Sequence, residues 1–155
     1  MKTKQGDLSL LDHPVAQELL QSKVPAQLAY SWLDGSPRVV PIWFHWNGKE
    51  VILGSPMKAP KLKALRMNSK VAVSIDSDTR PYHVLQIRGT AQTETVEGVS
   101  AEYEASAKRY LGEEAGRAWV GQVKGMSTHM SRISIKPEWV AVIDFETRFP
   151  SAMSG

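Results

Sequence analysis

Two dipeptides set the strongest limit on this chain: Asp34-Gly35 and Asn47-Gly48, standing on either side of residues 38–46 (RVVPIWFHW), a run rich in β-branched and aromatic side chains. Pairs of this kind supply the positive φ angles that tight antiparallel turns need, and Asn-Gly is the pair best suited to a type I′ turn. Upstream, Leu28 and Tyr30 alternate with smaller or polar residues over 26–32, and downstream residues 49–55 are again strand-like. The pattern predicts a three-stranded meander. Pro41 has no N–H for a ladder, so the middle strand is expected to have an edge, a bulge or an unpaired stretch there, and unpaired backbone is a place for a ligand.

Helical periodicity appears at separate points. Asp12 is placed to cap a helix over 12–22 whose first turn accepts Pro14 and whose buried side is Val15, Ala16, Leu19 and Leu20. Residues 57–68 form a second helix, started by Pro60, with Leu62, Leu65 and Met67 inward and basic residues outward. Strands follow at 70–76 and 82–92, with Gly89 marking a bulge. Helices are expected over 97–111 and 113–123, broken at Gly112, with Tyr103, Tyr110 and Trp119 as packing residues. A last strand pair at 130–135 and 139–145 is separated by Lys136-Pro137. Hairpin-joined strands with inserted helices predict an antiparallel barrel in a mainly β domain with peripheral helices, not a βαβ fold. The 155 residues read as a single domain: entry helix 12–22, barrel core 25–92, helical insertion 97–124, last strands 127–145.

Composition excludes several classes of function. With no cysteine there is no thiolate metal site, iron–sulfur cluster or catalytic thiol, and no disulfide framework. His13, His45, His83 and His129 have no compact ligand spacing, so no metal is expected. Asp76 and Asp78 read as turn chemistry. No dinucleotide fingerprint, Walker loop or nucleophile elbow is present. The formal charge of +3 is too small to imply nucleic acid. No apolar run reaches membrane-span length, and the N-terminus lacks a signal-like apolar core, so a cytoplasmic protein is expected.

The chemistry-bearing stretch is 55–70, which carries Lys58, Lys61, Lys63, Arg66 and Lys70 and no acid. Standing alone it would be a solvated basic helix face. Its context is different: Ser55 ends a strand, a short loop follows, and a proline-started helix opens with lysines. Helix N-terminal amides, an ammonium group and a hydroxyl together suit a phosphate. Arg38 on the preceding strand is placed to reach the same anion. Trp43, Phe44 and Trp46 point to a planar ligand, although aromatic residues more often pack in cores and interfaces.

The series DGSPRVVPIWF, NGKEVILGS, KLKALRMNSKVAVSID and QIRGTA resembles the pyridoxamine 5′-phosphate oxidase-like flavin-binding split-barrel superfamily, including its deazaflavin-dependent branch. The resemblance covers about residues 24–92 well. It implies a six-stranded split barrel of the FMN-binding type that forms a homodimer, with two flavin sites at the subunit interface. On the matching positions, Arg38 is the basic residue at the start of the second strand, and Val40, Pro41, Ile42 and Trp43 present backbone to the isoalloxazine. Ser55 is the small hydroxyl residue ending the third strand. Lys61 is the phosphate lysine, with Lys58 and Lys63 beside it. Gln86 stands two residues beyond Val84, where the family often carries a ring-facing Gln. The C-terminal TRFPSAMSG lacks the family's substrate-phosphate segment, so vitamin B6 synthesis is not expected. What the resemblance implies is an FMN-dependent oxidoreductase moving hydride to or from a small conjugated or heteroaromatic substrate. The alternatives are a coenzyme F-420-dependent reductase and a non-enzymatic flavin-binding module.

Overall fold

The computed structural model describes residues 2–153. Among them, seven strands form one antiparallel sheet in the order β2-β1-β5-β6-β7-β4-β3. The strands are β1 (Ala26–Ser31), β2 (Pro37–Ile42), β3 (His45–Trp46), β4 (Val51–Ser55), β5 (Lys70–Asp76), β6 (Val84–Glu97) and β7 (His129–Ile143). The helices are α1 (Pro14–Leu20), α2 (Pro60–Met67), α3 (Ala101–Leu111) and α4 (Glu113–Met126). No helix among the described residues is long and apolar enough to cross a membrane.

The expected strand at 38–46 is two strands and the expected last pair is one, so the seven strands read along the chain remain seven, one more than the resemblance implies. Trp43 and Phe44 leave the ladder because other partners take them: Phe44 is fully buried in the core and its carbonyl accepts a hydrogen bond from Arg109 of α3, while the half-buried Trp43 stacks on Tyr110. This break closes the barrel. β2 and β3 are the two edges of the sheet, yet only these two residues join them. At most about 3.6 Å of reach per residue brings the edges together at that point. Elsewhere the edges are free, and Pro41 lies on the edge strand β2, as its missing N–H requires.

The expected final strand pair is one continuous strand, β7. Lys136-Pro137 does not break it, because the register of β6 and β7 slips between Arg88 and Gly89 where Pro137 passes. A side chain on Gly89 would lie 2.1 Å from the Lys136 carbonyl oxygen, so glycine is what admits the bulge. β6 also runs on to Glu97, and α3 begins later than expected, capped by Ser100, whose hydroxyl accepts from the Tyr103 amide.

The Asn47-Gly48 turn is not type I′. Only Gly48 has positive φ, and the Asn47 side-chain oxygen accepts from the amides of Lys49 and Glu50. The entry segment differs as well. A 3-10 turn (Leu8–Asp12) precedes α1, and the residue capping α1 is His13, whose ring nitrogen accepts from the Val15 amide. Met67 is exposed rather than inward.

Alternation along β5 places Val71, Val73 and Ile75 inside, against Leu85 and Ile87 of β6 and Leu28 of β1. Leu19 and Leu20 of α1 and Leu62 and Leu65 of α2 close this core. Each such fully buried side chain contributes about 1.5–3 kcal/mol. β4 is buried on both faces because α3 covers its outer side, where the Tyr103 ring lies over Gly54.

Candidate functional site

A cleft of about 350 Å³ opens where the two sheet edges meet. Val40, Pro41, Ile42 and Trp43 line one side, Gly54, Pro56 and Lys61 another, and Tyr103 of α3 a third. Among the described residues edge strand β2 pairs only with β1, so its other side offers backbone donors and acceptors to an occupant.

Lys61 is the second residue of α2, after Pro60, and Ala59 at the cap position offers no side-chain cap. The lysine is half-buried, and burial alone pulls its pKa below the ordinary lysine value. Among the described residues it has no carboxylate or hydrogen-bond partner. A desolvated ammonium beside an uncapped helix start, facing a cleft, is an arrangement that suits an anion. Ser55 is buried between the lining residues Gly54 and Pro56, its hydroxyl 3.5 Å from the Pro56 carbonyl, at the outer limit of a hydrogen bond.

The aromatic wall is a connected cluster. Trp43 stacks on Tyr110, with ring centroids 5.2 Å apart and planes at 10°, and it meets Tyr103 at 6.1 Å and the edge of Trp119 at 6.5 Å. Trp43 therefore both packs and lines the cleft. Burial raises the Tyr110 pKa, and its hydroxyl donates to the Val24 carbonyl.

Of the residues singled out in the sequence, Val40, Pro41, Ile42, Trp43 and Lys61 come together in the cleft. The others do not line it. Arg38 lies toward the start of β2, where its guanidinium donates to the Ser36 hydroxyl and sits over the Trp32 ring. Lys58 and Lys63 are exposed around the start of α2. Lys58 precedes the helix, and helical phase separates Lys63 from Lys61: positions three and four beyond Lys61 are the buried Ala64 and Leu65, whereas those beyond Lys63 are the exposed Arg66 and Met67. Gln86 is exposed on the outer face of the sheet, opposite Ser74 and Ala141. Lys70 is on the outer face too, paired with Glu138 at 3.3 Å. Sequence reasoning missed Gly54, Pro56 and Pro25, and it took Tyr103 only as a packing residue. A glycine inside a strand pattern was the one available signal, since such a glycine marks a close approach.

The histidines have local roles. His13 caps α1, His83 pairs with Glu18 at 3.0 Å, and His129 contacts the Thr128 hydroxyl. The His45 pKa is lowered, first by burial and then by Arg109.

The family model described as pyridoxamine 5′-phosphate oxidase matches residues 13–144. No curated protein sequence matches the chain. Among solved structures, an F420 reductase is similar at 26% identity, with a TM-score of 0.61, over 79% of this chain and 93% of its own. A conserved hypothetical protein from Mycobacterium tuberculosis has a TM-score of 0.67 at 19% identity, over 94% of this chain and 91% of its own. HutZ, the heme storage protein from Vibrio cholerae, has a TM-score of 0.61 at 19% identity, over 84% and 93%. The last two likenesses concern the fold alone.

Proposed function

We propose that this chain, which belongs to the pyridoxamine 5′-phosphate oxidase family, binds a phosphate-bearing flavin, FMN, in the cleft and serves as an oxidoreductase for a small conjugated or heteroaromatic substrate. The observation that carries this reading is Lys61, a half-buried ammonium without a counter-charge among the described residues, at the uncapped start of α2. Lys61 and the α2 amides hold the phosphate, and Ser55 lies behind them. The free edge of β2 at Val40, Ile42 and Trp43 gives backbone hydrogen bonds to the polar edge of the ring. When bound, the flavin supplies hydride transfer; the protein orients it, excludes water with the aromatic wall, and needs no side-chain nucleophile.

Coenzyme F-420 is the second reading. It is favoured by the likeness to an F420 reductase and by the exposed Lys58, Lys63 and Arg66 outside the cleft, which suit an acidic tail. The absorbance and fluorescence of the cofactor retained by the purified protein separate the two.

A homodimer goes with this reading. Val39 is 67% exposed on the outer side of β2 between Pro37 and Pro41, an apolar strip that a second copy would cover. Gln86 and Arg38, which do not line the cleft of their own chain, would then be available to the partner's. A stable monomer in sedimentation velocity at micromolar concentration overturns this part.

The central test is Lys61→Ala against Lys70→Ala. Losing a charge-assisted hydrogen bond at Lys61 weakens FMN or F-420 binding by about 1.5–3 kcal/mol, on the order of tenfold to a hundredfold. Lys70→Ala, on the outer face, leaves affinity within about twofold. Equal small effects of both substitutions overturn the phosphate site.

A further inference from the structure

The helical hairpin α3–α4 is not needed to connect β6 to β7, although Arg109 of α3 holds the Phe44 carbonyl at the seam. β6 and β7 pair, across the one bulge at Gly89, from Val84 opposite Ile143 to Glu97 opposite His129, so a short turn after Glu97 would complete the barrel. Instead the chain inserts two helices and lays the first across β4. We infer that this hairpin is the specificity element of the cleft, with Tyr103 contacting the face of the occupant's ring system and selecting for planarity. The inference rests on reading the cleft as a flavin-type site.

The Tyr103 ring is held on several sides while still lining the cleft. Below it, β4 carries no side chain at Gly54: a Cβ there would stand 2.5 Å from Tyr103 Cδ2. Behind it, the Ser100 hydroxyl accepts from the Tyr103 amide at 3.1 Å and fixes the residue in the first turn of α3. Beyond it, Trp119 of α4 donates to the hydroxyl at 2.9 Å, and Trp43 lies at 6.1 Å. A residue needed only to fill space between α3 and β4 has no use for this much orientation. A ring with two torsions, already fixed, binds another flat ring with little further loss of freedom. At about 350 Å³ the cleft is near the small end of ligand pockets, so a single ring system fits between the β2 edge and Tyr103.

The test titrates FMN and F-420 into the full chain and into Tyr103→Leu, Tyr103→Phe and Lys61→Ala, recording affinity and the emission of bound FMN, which electron-rich phenol and indole rings quench on contact. Tyr103→Leu is expected to weaken FMN about tenfold, the value of one aromatic pair plus its lost contact area. Tyr103→Phe is expected to keep affinity within about threefold, since a phenyl ring still stacks, while bound FMN brightens in part, the Trp43 indole in the same wall still quenching. If Tyr103→Leu fails to fold, the emission of Tyr103→Phe decides. Unchanged emission and affinity in the Tyr103 variants, together with weakened binding in Lys61→Ala, overturns the role of Tyr103 alone. Failure of the unaltered chain to bind either cofactor overturns both readings.

Discussion

The indole Nε1 of Trp119 donates to the hydroxyl of Tyr103 at 2.9 Å, tying α4 to the residue of α3 that lines the cleft. An indole can only donate, so the phenol oxygen is the acceptor and its own proton is left for another partner. Trp119→Phe keeps the apolar packing and removes this bond. The expected loss is about 0.5–1.5 kcal/mol of stability, measured by urea unfolding, with a smaller fall in cofactor affinity than Tyr103→Leu causes.

Lys61 makes cofactor binding depend on pH in one direction. Burial lowers its pKa in the free protein, and a bound phosphate raises it again. Affinity is therefore full while the free lysine is protonated and declines as pH rises through its lowered value toward the ordinary lysine range. Binding titrations at increasing alkaline pH should show affinity falling before pH reaches the ordinary value of about 10.4, with proton uptake on binding. Lys61→Ala should abolish that dependence.

Gly89→Ala tests the bulge that carries Pro137 through β7. Its Cβ would meet the Lys136 carbonyl oxygen at 2.1 Å, backbone against side chain with nothing flexible to move. The expected cost is about 3 kcal/mol, or roughly 6–12 °C in Tm, read by thermal denaturation followed by circular dichroism.

Asp144 anchors the turn after β7. Burial works to raise its pKa, but hydrogen bonds from the Thr147 hydroxyl and from the amides of Glu146, Thr147 and Arg148 prevail and hold it well below the usual carboxylate range. Because the folded value is depressed, its stabilisation is present above the unfolded pKa of about 3.9 and is lost as pH falls through the folded one. Asp144→Ala should cost about 2–4 kcal/mol at neutral pH, and in denaturant titrations the gap to the unaltered protein should hold from neutral pH to about pH 5 and shrink below pH 4.

Local chemistry made much of this fold legible. The edge position of Pro41, the bulge at Gly89 and the proline-started α2 each follow from one residue's backbone constraints, and the structure has all of them. What escaped depends on tertiary packing. Nothing in the run at 38–46 distinguishes Trp43 and Phe44 from their strand neighbours until the core and Arg109 take Phe44 and Tyr110 takes Trp43. Pro137 looks like a break until the opposing glycine is known to admit a bulge. On α2, helical phase carries the difference between Lys61 and Lys63, but the reading of the sequence kept both at the site. Tyr103 was not separable in that way, because its neighbours at the cleft come from distant parts of the chain.

The two-residue join between β2 and β3 bears on how the barrel behaves when the cleft is filled. The sheet is a hoop whose ends are fastened only at Trp43 and Phe44, and the cleft straddles that fastening, with β2 on one side and Gly54 of β4 on the other. An occupant touching both sides acts as a second clasp. Loading the site and tightening the hoop are one event, and the amides around the seam should be the ones most slowed in hydrogen exchange when the cleft is occupied.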